Sequence, residues 1–278
     1  MTVGIVGLGL IGGSMAKGIK ARTSHTVYGI DISSETMLLA RICGAIDGSL
    51  DENTMAECDL FLLALRPGAA VEWVRANAKK ISPKATLVDL CGVKRSVCSE
   101  LAPIAAEHGF QYIGGHPMAG REVGGFVNSR TDLFDGASMI LTPDARTSPG
   151  LLETLKNFFL DIGFGQITYT TPEEHDRIIA LTSQLAHIVS NAYVKSPEAQ
   201  KRRGFSAGSF KDLTRVARLD EDMWTELFVA NADNLTQQLE FLINSLGEYL
   251  DALRAGDAER LRELLRDGRL KKASAGGD

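Results

Sequence analysis

Val3-Gly4-Ile5-Val6-Gly7-Leu8-Gly9-Leu10-Ile11-Gly12 sets a β-rich run, a glycine-rich turn and the start of a helical pattern in that order at the head of the chain. Three glycines at this spacing mean little alone, but between a strand and a helix they make a phosphate cradle. Gly7 permits the tight turn, Gly9 lets the backbone approach a pyrophosphate, and Gly12 lets the helix pack on the strand, with the helix N-terminus facing the phosphate charge. Leu8, Leu10 and Ile11 complete this cofactor-binding loop. Asp31 follows the next strand candidate, 26–30, close to the roughly 20-residue separation at which an acid reaches the ribose hydroxyls. A 2′-phosphate there would meet a carboxylate, and Ile32-Ser33-Ser34 supplies no arginine to offset it, so the loop predicts NAD. The bland alternatives are a ligand-free turn and an Asp31 that only caps the next helix.

Outward from the loop, short apolar runs at 3–6, 26–30, 60–65, 86–90, 137–141 and 166–169 alternate with helical patterns near 12–21, 33–43, 68–80, 94–107 and 148–162. Such alternation predicts crossover helices on a largely parallel sheet. Leu65 and Arg66, at the end of the third run, are expected along the carboxyl edge of the sheet beside the dinucleotide. After Pro172 no strand-like run recurs, and Leu, Ala, Glu and Arg stand at helical spacing. The fold class expected is therefore α/β: an N-terminal Rossmann-type, doubly wound, mostly parallel sheet over 1–171, an all-helical domain over 172–270, and a disordered tail over 271–278. Leu235, Leu239, Leu242, Leu246, Tyr249 and Leu253 recur at steps of three and four, one apolar stripe that can pack within its domain or pair across a two-fold axis.

The 278 residues, 44% hydrophobic and 23% charged, suit two globular domains, and a net charge of -5 argues against nucleic acid as a partner. No run reaches the roughly 18 apolar residues of a membrane span, so no membrane partner and a cytoplasmic location are expected. Cys43, Cys58, Cys91 and Cys98 lack CxxC spacing, which predicts reduced thiols and no metal.

The second informative stretch is Gly114-Gly115-His116-Pro117-Met118-Ala119-Gly120, with a histidine held in a restricted turn near the carboxyl edge of the sheet. A lone histidine is more often an ordinary hydrogen-bonded residue than a catalyst. Four tracts change that weighting: residues 7–14, the loop 114–122, Ser183-Gln184-Leu185-Ala186-His187, and Phe210-Lys211-Asp212-Leu213-Thr214-Arg215 with Met223-Trp224 beyond. In this order they resemble the prephenate and arogenate dehydrogenases of tyrosine biosynthesis, over nearly the whole chain. The resemblance implies NAD-dependent oxidation of a cyclohexadienol, prephenate or alternatively arogenate, with loss of carbon dioxide, by a homodimer formed through the helical domain. It implies His116 as the catalytic residue that meets the hydroxyl in neutral form, and Arg215 as a fork for a substrate carboxylate. It further places His187, Glu122 and Trp224 around the substrate, with packing or a surface ion pair as the rival role of His187, Arg215 and Trp224; Lys211, one helical turn before Arg215, adds positive charge for a dianion, and Arg121, where a small polar residue is common in the family, is a further contact for an anionic group.

The chain also departs from the pattern. Many members carry serine where Gly92 stands, which is expected near the cofactor. That leaves water, Cys91 or backbone groups to orient His116. Many also carry histidine and proline at the positions of Gln184 and Ala186. Two other classes stay open: a 3-hydroxyacid dehydrogenase or pyrroline carboxylate reductase, which does not explain the His116 tract, and a regulator that binds NAD without turnover.

Overall fold

A computed structural model describes residues 1–205 and 208–275. Eight strands form one sheet: β1 (Thr2–Val6), β2 (Thr26–Ile30), β3 (Gly48–Ser49), β4 (Leu60–Leu63), β5 (Thr86–Asp89), β6 (Gln111–Pro117), β7 (Ser138–Thr142) and β8 (Gln166–Tyr169), in the order β3-β2-β1-β4-β5-β6-β7-β8. All neighbours are parallel except β6 and β7. The crossovers carry α1 (Leu10–Arg22), α2 (Ser34–Ile42), α3 (Glu52–Ala56), α4 (Pro67–Asn77), α5 (Arg95–His108) and, between β7 and β8, α6 (Pro149–Asp161). This is the expected doubly wound, mostly parallel sheet.

Side chains alternate across the pleat, which is why strands this short can feed two cores. Val3, Ile5, Leu60 and Leu62 join one cluster with Met15, Phe134, Phe158 and Phe159. Val6, Phe61 and Leu63 join the opposite one with Val74, Leu87, Val97 and Leu101. Two features differ from the sequence reading. The two-residue β3 carries too little apolar pattern to register as a strand. Strand β6 runs on from Tyr112 and Ile113 to Pro117, so His116 lies in a strand, paired with Ile140 of β7, and not in a turn. The segment 118–137 carries the 3₁₀ turn Phe126–Asn128 and no crossover helix, and β7 returns antiparallel to β6.

Among the described residues, helices alone follow β8: α7 (Pro172–Ile179), α8 (Ala186–Tyr193), α9 (Gly208–Thr214), α10 (Glu221–Ala230), α11 (Ala232–Ala255) and α12 (Ala258–Ala275), with a π-helical stretch Ala180–Leu185 joining α7 to α8. Helix α12 enters the tail from Lys271 and continues to Ala275; the rest of that tail lies outside the described residues. Two compact units result, Met1–Asn231 and Ala232–Asp278, and every candidate site residue belongs to the first. No helix of the described residues is long and apolar enough to cross a membrane.

The sheet reverses its winding between β1 and β4, which opens a crevice at their carboxyl ends, and the glycine-rich loop leaves β1 at that point. Gly7 has a φ of 84° and donates its N–H to the Ile30 carbonyl at 2.9 Å. A Cβ on Gly12 would stand 1.8 Å from the Gly7 oxygen. Gly12→Ala is therefore expected to force the loop off the strand at a cost of about 1–3 kcal/mol. Thermal unfolding and a titration with NAD check it, and an unchanged melting temperature with unchanged affinity would contradict the contact.

Candidate active site

The loop's geometry suits a dinucleotide. Gly9 starts α1 with no side-chain cap, so the helix's first N–H groups keep their donor capacity, and a Cβ on Gly9 would meet nothing within 4 Å. Leu8, Leu10 and Ile11 occupy the turn and the first residues of α1. Asp31 accepts the Leu8 N–H at 2.8 Å and the Ser33 N–H at 2.9 Å, which aims its carboxylate at the crevice edge and leaves lone pairs for ribose hydroxyls. The cap of α2 is Ser33, which accepts from Thr36, and not Asp31. Arg66 is exposed just before Pro67 opens α4, and Leu65 presents its carbonyl to the Cys91 thiol at 3.5 Å. These residues could hold a dinucleotide, with the 7–12 backbone facing the pyrophosphate and Asp31 the ribose.

His116 is half-buried near the end of β6. The two glycines before it are required by close packing, since a Cβ on Gly114 would stand 2.4 Å from Thr142 Oγ1 and one on Gly115 2.7 Å from the Asp89 oxygen. Beneath the strand lies an ion pair with no exposure, Lys94 with Asp89. Lys94 also donates to the Gly115 carbonyl at 2.5 Å, and Asp89 accepts from the Tyr112 hydroxyl at 2.7 Å and the Cys91 N–H at 3.0 Å. Burial alone would depress the Lys94 ammonium, but the adjacent Asp89 carboxylate outweighs it and holds the pKa above its ordinary value.

The partner of the His116 ring is His175 of α7. Nδ1 of His116 lies 2.8 Å from His175 Nε2, and His175 Nδ1 lies 2.7 Å from Asp176 Oδ1. Asp176, with no exposure, accepts the N–H groups of Lys94 at 2.7 Å and Arg95 at 2.9 Å, the start of α5. Burial pushes its carboxyl up, but the His175 hydrogen bond and these two N–H groups prevail and leave it below the ordinary range. An ionised Asp176 takes the Nδ1 proton of a neutral His175, whose Nε2 must then accept from His116 Nδ1. His116 Nε2 is left as the bare base. Burial first, then His175 and Lys94, hold the His116 pKa well below the usual histidine value.

Gly92 borders that nitrogen: a Cβ on it would lie 3.9 Å from His116 Nε2 and 3.4 Å from Leu227 Cδ2. Cys91 does not orient the histidine. Its thiol points to Leu65, and burial pushes it well above the usual thiol range. Leu227 belongs to α10, whose Trp224 lies one turn earlier and packs on His187 with ring centroids 4.0 Å apart. His187 donates from Nδ1 to the Ser183 carbonyl at 2.8 Å, inside the π-helical stretch, an irregularity common at functional sites. Arg215 forms an ion pair with Glu122 at 2.9 Å, which ties the end of α9 to the loop leaving β6. The pair is largely exposed. Lys211 is exposed, and Arg121 is exposed and reaches the Asn128 carbonyl at 3.4 Å. Gln184 is buried, accepting from Asn231 at 2.8 Å and donating to the Leu227 carbonyl at 3.2 Å.

His175, Asp176, Lys94, Asp89 and Asn231 escaped the sequence reading. Glu173-Glu174-His175-Asp176 sits in the first turn of a helix, where acids commonly complement the dipole, so a buried carboxylate looks like an ordinary solvated one. The signal present was the histidine set among those acids.

Two family models match the chain: "Prephenate dehydrogenase, nucleotide-binding domain" over residues 15–168 and "Prephenate dehydrogenase, dimerization domain" over 171–267. The prephenate dehydrogenase of Bacillus subtilis is 29% identical, covering 94% of this chain and 72% of its own. The cyclohexadienyl dehydrogenase of Zymomonas mobilis is 30% identical, covering 94% and 91%. Among solved structures, prephenate dehydrogenase from A. aeolicus in complex with hydroxyphenyl propionate and NAD+ superposes with a TM-score of 0.85 at 29% identity, covering 99% and 98% of the two chains. Synechocystis arogenate dehydrogenase gives 0.81 at 25% identity, covering 99% and 100%.

Lys94→Met removes one member of a fully buried ion pair and leaves the Asp89 charge uncompensated, a loss expected to cost about 3–5 kcal/mol. Urea unfolding measures it, and a cost below about 1 kcal/mol would show that Asp89 does not depend on Lys94 for its charge.

Proposed function

The chain belongs to the prephenate dehydrogenase family and is an NAD-dependent dehydrogenase, and from that premise we propose that it oxidises prephenate to 4-hydroxyphenylpyruvate and carbon dioxide. The observation that carries this reading is the bare Nε2 of His116, at the carboxyl end of a sheet whose crevice is built for a dinucleotide. NAD, when bound, supplies the hydride acceptor. The protein's own task is to hold the ring carbinol against it and receive the hydroxyl proton. His116 Nε2 does the second. A histidine held below its ordinary pKa is neutral at pH 7, the state that can accept.

Arg215 is the proposed carboxylate fork. It is paired with Glu122 in the ligand-free chain, so a substrate carboxylate has to displace or share that partner. Both groups are exposed, so the exchange costs little. Trp224 and His187, packed ring on ring, are the proposed aromatic wall of the substrate site, and Lys211 and Arg121 add positive charge for a dianion. Arogenate is the alternative substrate and differs only by an ammonium in place of the keto group. The Zymomonas and Synechocystis relatives carry cyclohexadienyl and arogenate names. We further propose a homodimer through the helical region, supported by the family's dimerization model and by Phe241, Leu246 and Leu253 of α11, which are 69%, 57% and 64% exposed.

Steady-state rates with prephenate and arogenate, each with NAD and NADP, test the assignment. Prephenate with NAD should give the highest kcat/KM, and no NADH from either cyclohexadienol would overturn it. His116→Asn should lower kcat by about 10²–10⁴ with little change in KM, because the lost step is proton acceptance. Arg215→Ala should instead raise KM. Because the base works unprotonated and its pKa is lowered, kcat should hold as pH falls through 6.5 and decline only below it. A decline beginning above pH 7 would contradict this. Sedimentation at micromolar concentration should report twice the 30.0 kDa chain mass; a monomer would remove the dimer.

A further inference from the structure

Behind His116 the hydrogen-bonded line continues to a histidine and a carboxylate that touch no substrate. Resting on the function proposed above, the chemistry needs somewhere to keep a proton. The hydroxyl proton leaves when the C–H pair departs as hydride. When the ring carboxylate departs as carbon dioxide, its C–C pair enters the ring and creates a phenolate, which needs a proton back. At the ring oxygen the reaction is proton-neutral, and a base that only accepted would end each cycle in the wrong state.

We infer that His116, His175 and Asp176 form a reversible proton store, with His175 and Asp176 as the positioning residues that hold the charge between the two steps. In the forward transfer the substrate O–H bond breaks as an N–H bond forms at His116 Nε2. The Nδ1–H bond of His116 breaks as one forms at His175 Nε2. The positive charge then rests on His175 against the Asp176 carboxylate. Both transfers reverse when carbon dioxide leaves, and the phenolate takes the proton.

Geometry supports each link. The spacings of 2.8 Å and 2.7 Å are direct hydrogen bonds. His175 is 2% exposed and Asp176 0%, so the stored proton is kept from bulk water. The carboxylate cannot swing away, because the Lys94 and Arg95 N–H groups grip it at the head of α5 and Asn231 Nδ2 holds its backbone carbonyl at 2.8 Å. Residue 92, having no side chain, cannot steady the ring from the Nε2 side, so His175 alone fixes its rotation among the described contacts. The charged groups around the pair are Lys94 and Asp89 beneath the strand, Asp176 of α7 and Arg95 of α5. Lys94 opposes charge on both imidazoles. Asp176 favours it on His175, whose pKa burial lowers while the carboxylate pulls it back.

Nitrogen-15 NMR of the histidine-labelled resting protein tests the line without any turnover. Neutral His116 and His175 should both carry their proton on Nδ1. A His175 protonated on Nε2 overturns the store, whatever the activity. Kinetics use whichever cyclohexadienol the wild-type enzyme oxidises. Asp176→Asn should lower kcat about 10- to 100-fold, with KM held within about twofold, and shift the acid limb to lower pH, because the pair loses the anion that favours its proton. His175→Gln, which can keep both hydrogen bonds but carries no proton, should lower kcat by a similar factor. Wild-type kcat and an unmoved acid limb in both variants would falsify the inference. A wild-type protein inert toward both cyclohexadienols would instead sink the proposed function, and the NMR tautomers would still decide the store.

Discussion

One carboxylate with no access to water, Asp176, connects the helical half of the first unit to its sheet. Its two oxygens take the first N–H groups of α5 and the imidazole of His175, while Asn231 holds its backbone carbonyl. A buried anion is costly unless its lone pairs are filled, and here they are filled by groups that cannot be supplied from one element alone. The position of His175, and with it the ring orientation of His116, follows from that requirement. Asn231 also bonds Gln184, and Arg95 bonds Asn231, so the shell around the carboxylate is continuous.

A buried charge pair, Lys94 with Asp89, lies against the histidine strand. Lys94 reaches Asp89 and the Gly115 carbonyl together, and the two glycines let β6 lie close to Thr142, Cys98 and Lys94 at residue 114 and to the Asp89 oxygen, Met139 and Val88 at residue 115. The glycines preceding His116 thus serve packing directly beneath the histidine more than backbone freedom: neither has a positive φ. Burial first, then His175, and then the Lys94 ammonium keep the resting base neutral.

Much of the architecture was legible because strand and helix leave periodic traces that survive without tertiary information. The runs at 26–30 and 166–169 match β2 and β8, and Ser148-Pro149 opens α6 as its capping signals indicate. Strand β6 was seen only in part, since glycines and proline have low strand propensity and its extension is set by the Lys94 contact and the β7 pairing. Gln184, where many family members carry histidine, faces Asn231 from within the π-helical stretch, a contact that residue type and spacing do not announce.

The sequence by itself determined the doubly wound sheet and the glycine-rich loop with the acid after β2, because each depends on residue types at short fixed spacings, whereas His116 stood out only through the family resemblance. Only the tertiary structure decided what stands behind that histidine. His116, His175, Lys94 and Asp89 come from separate elements, and whether a charged side chain is solvated or buried against a partner depends on the packing of distant segments, which leaves no local periodicity to read.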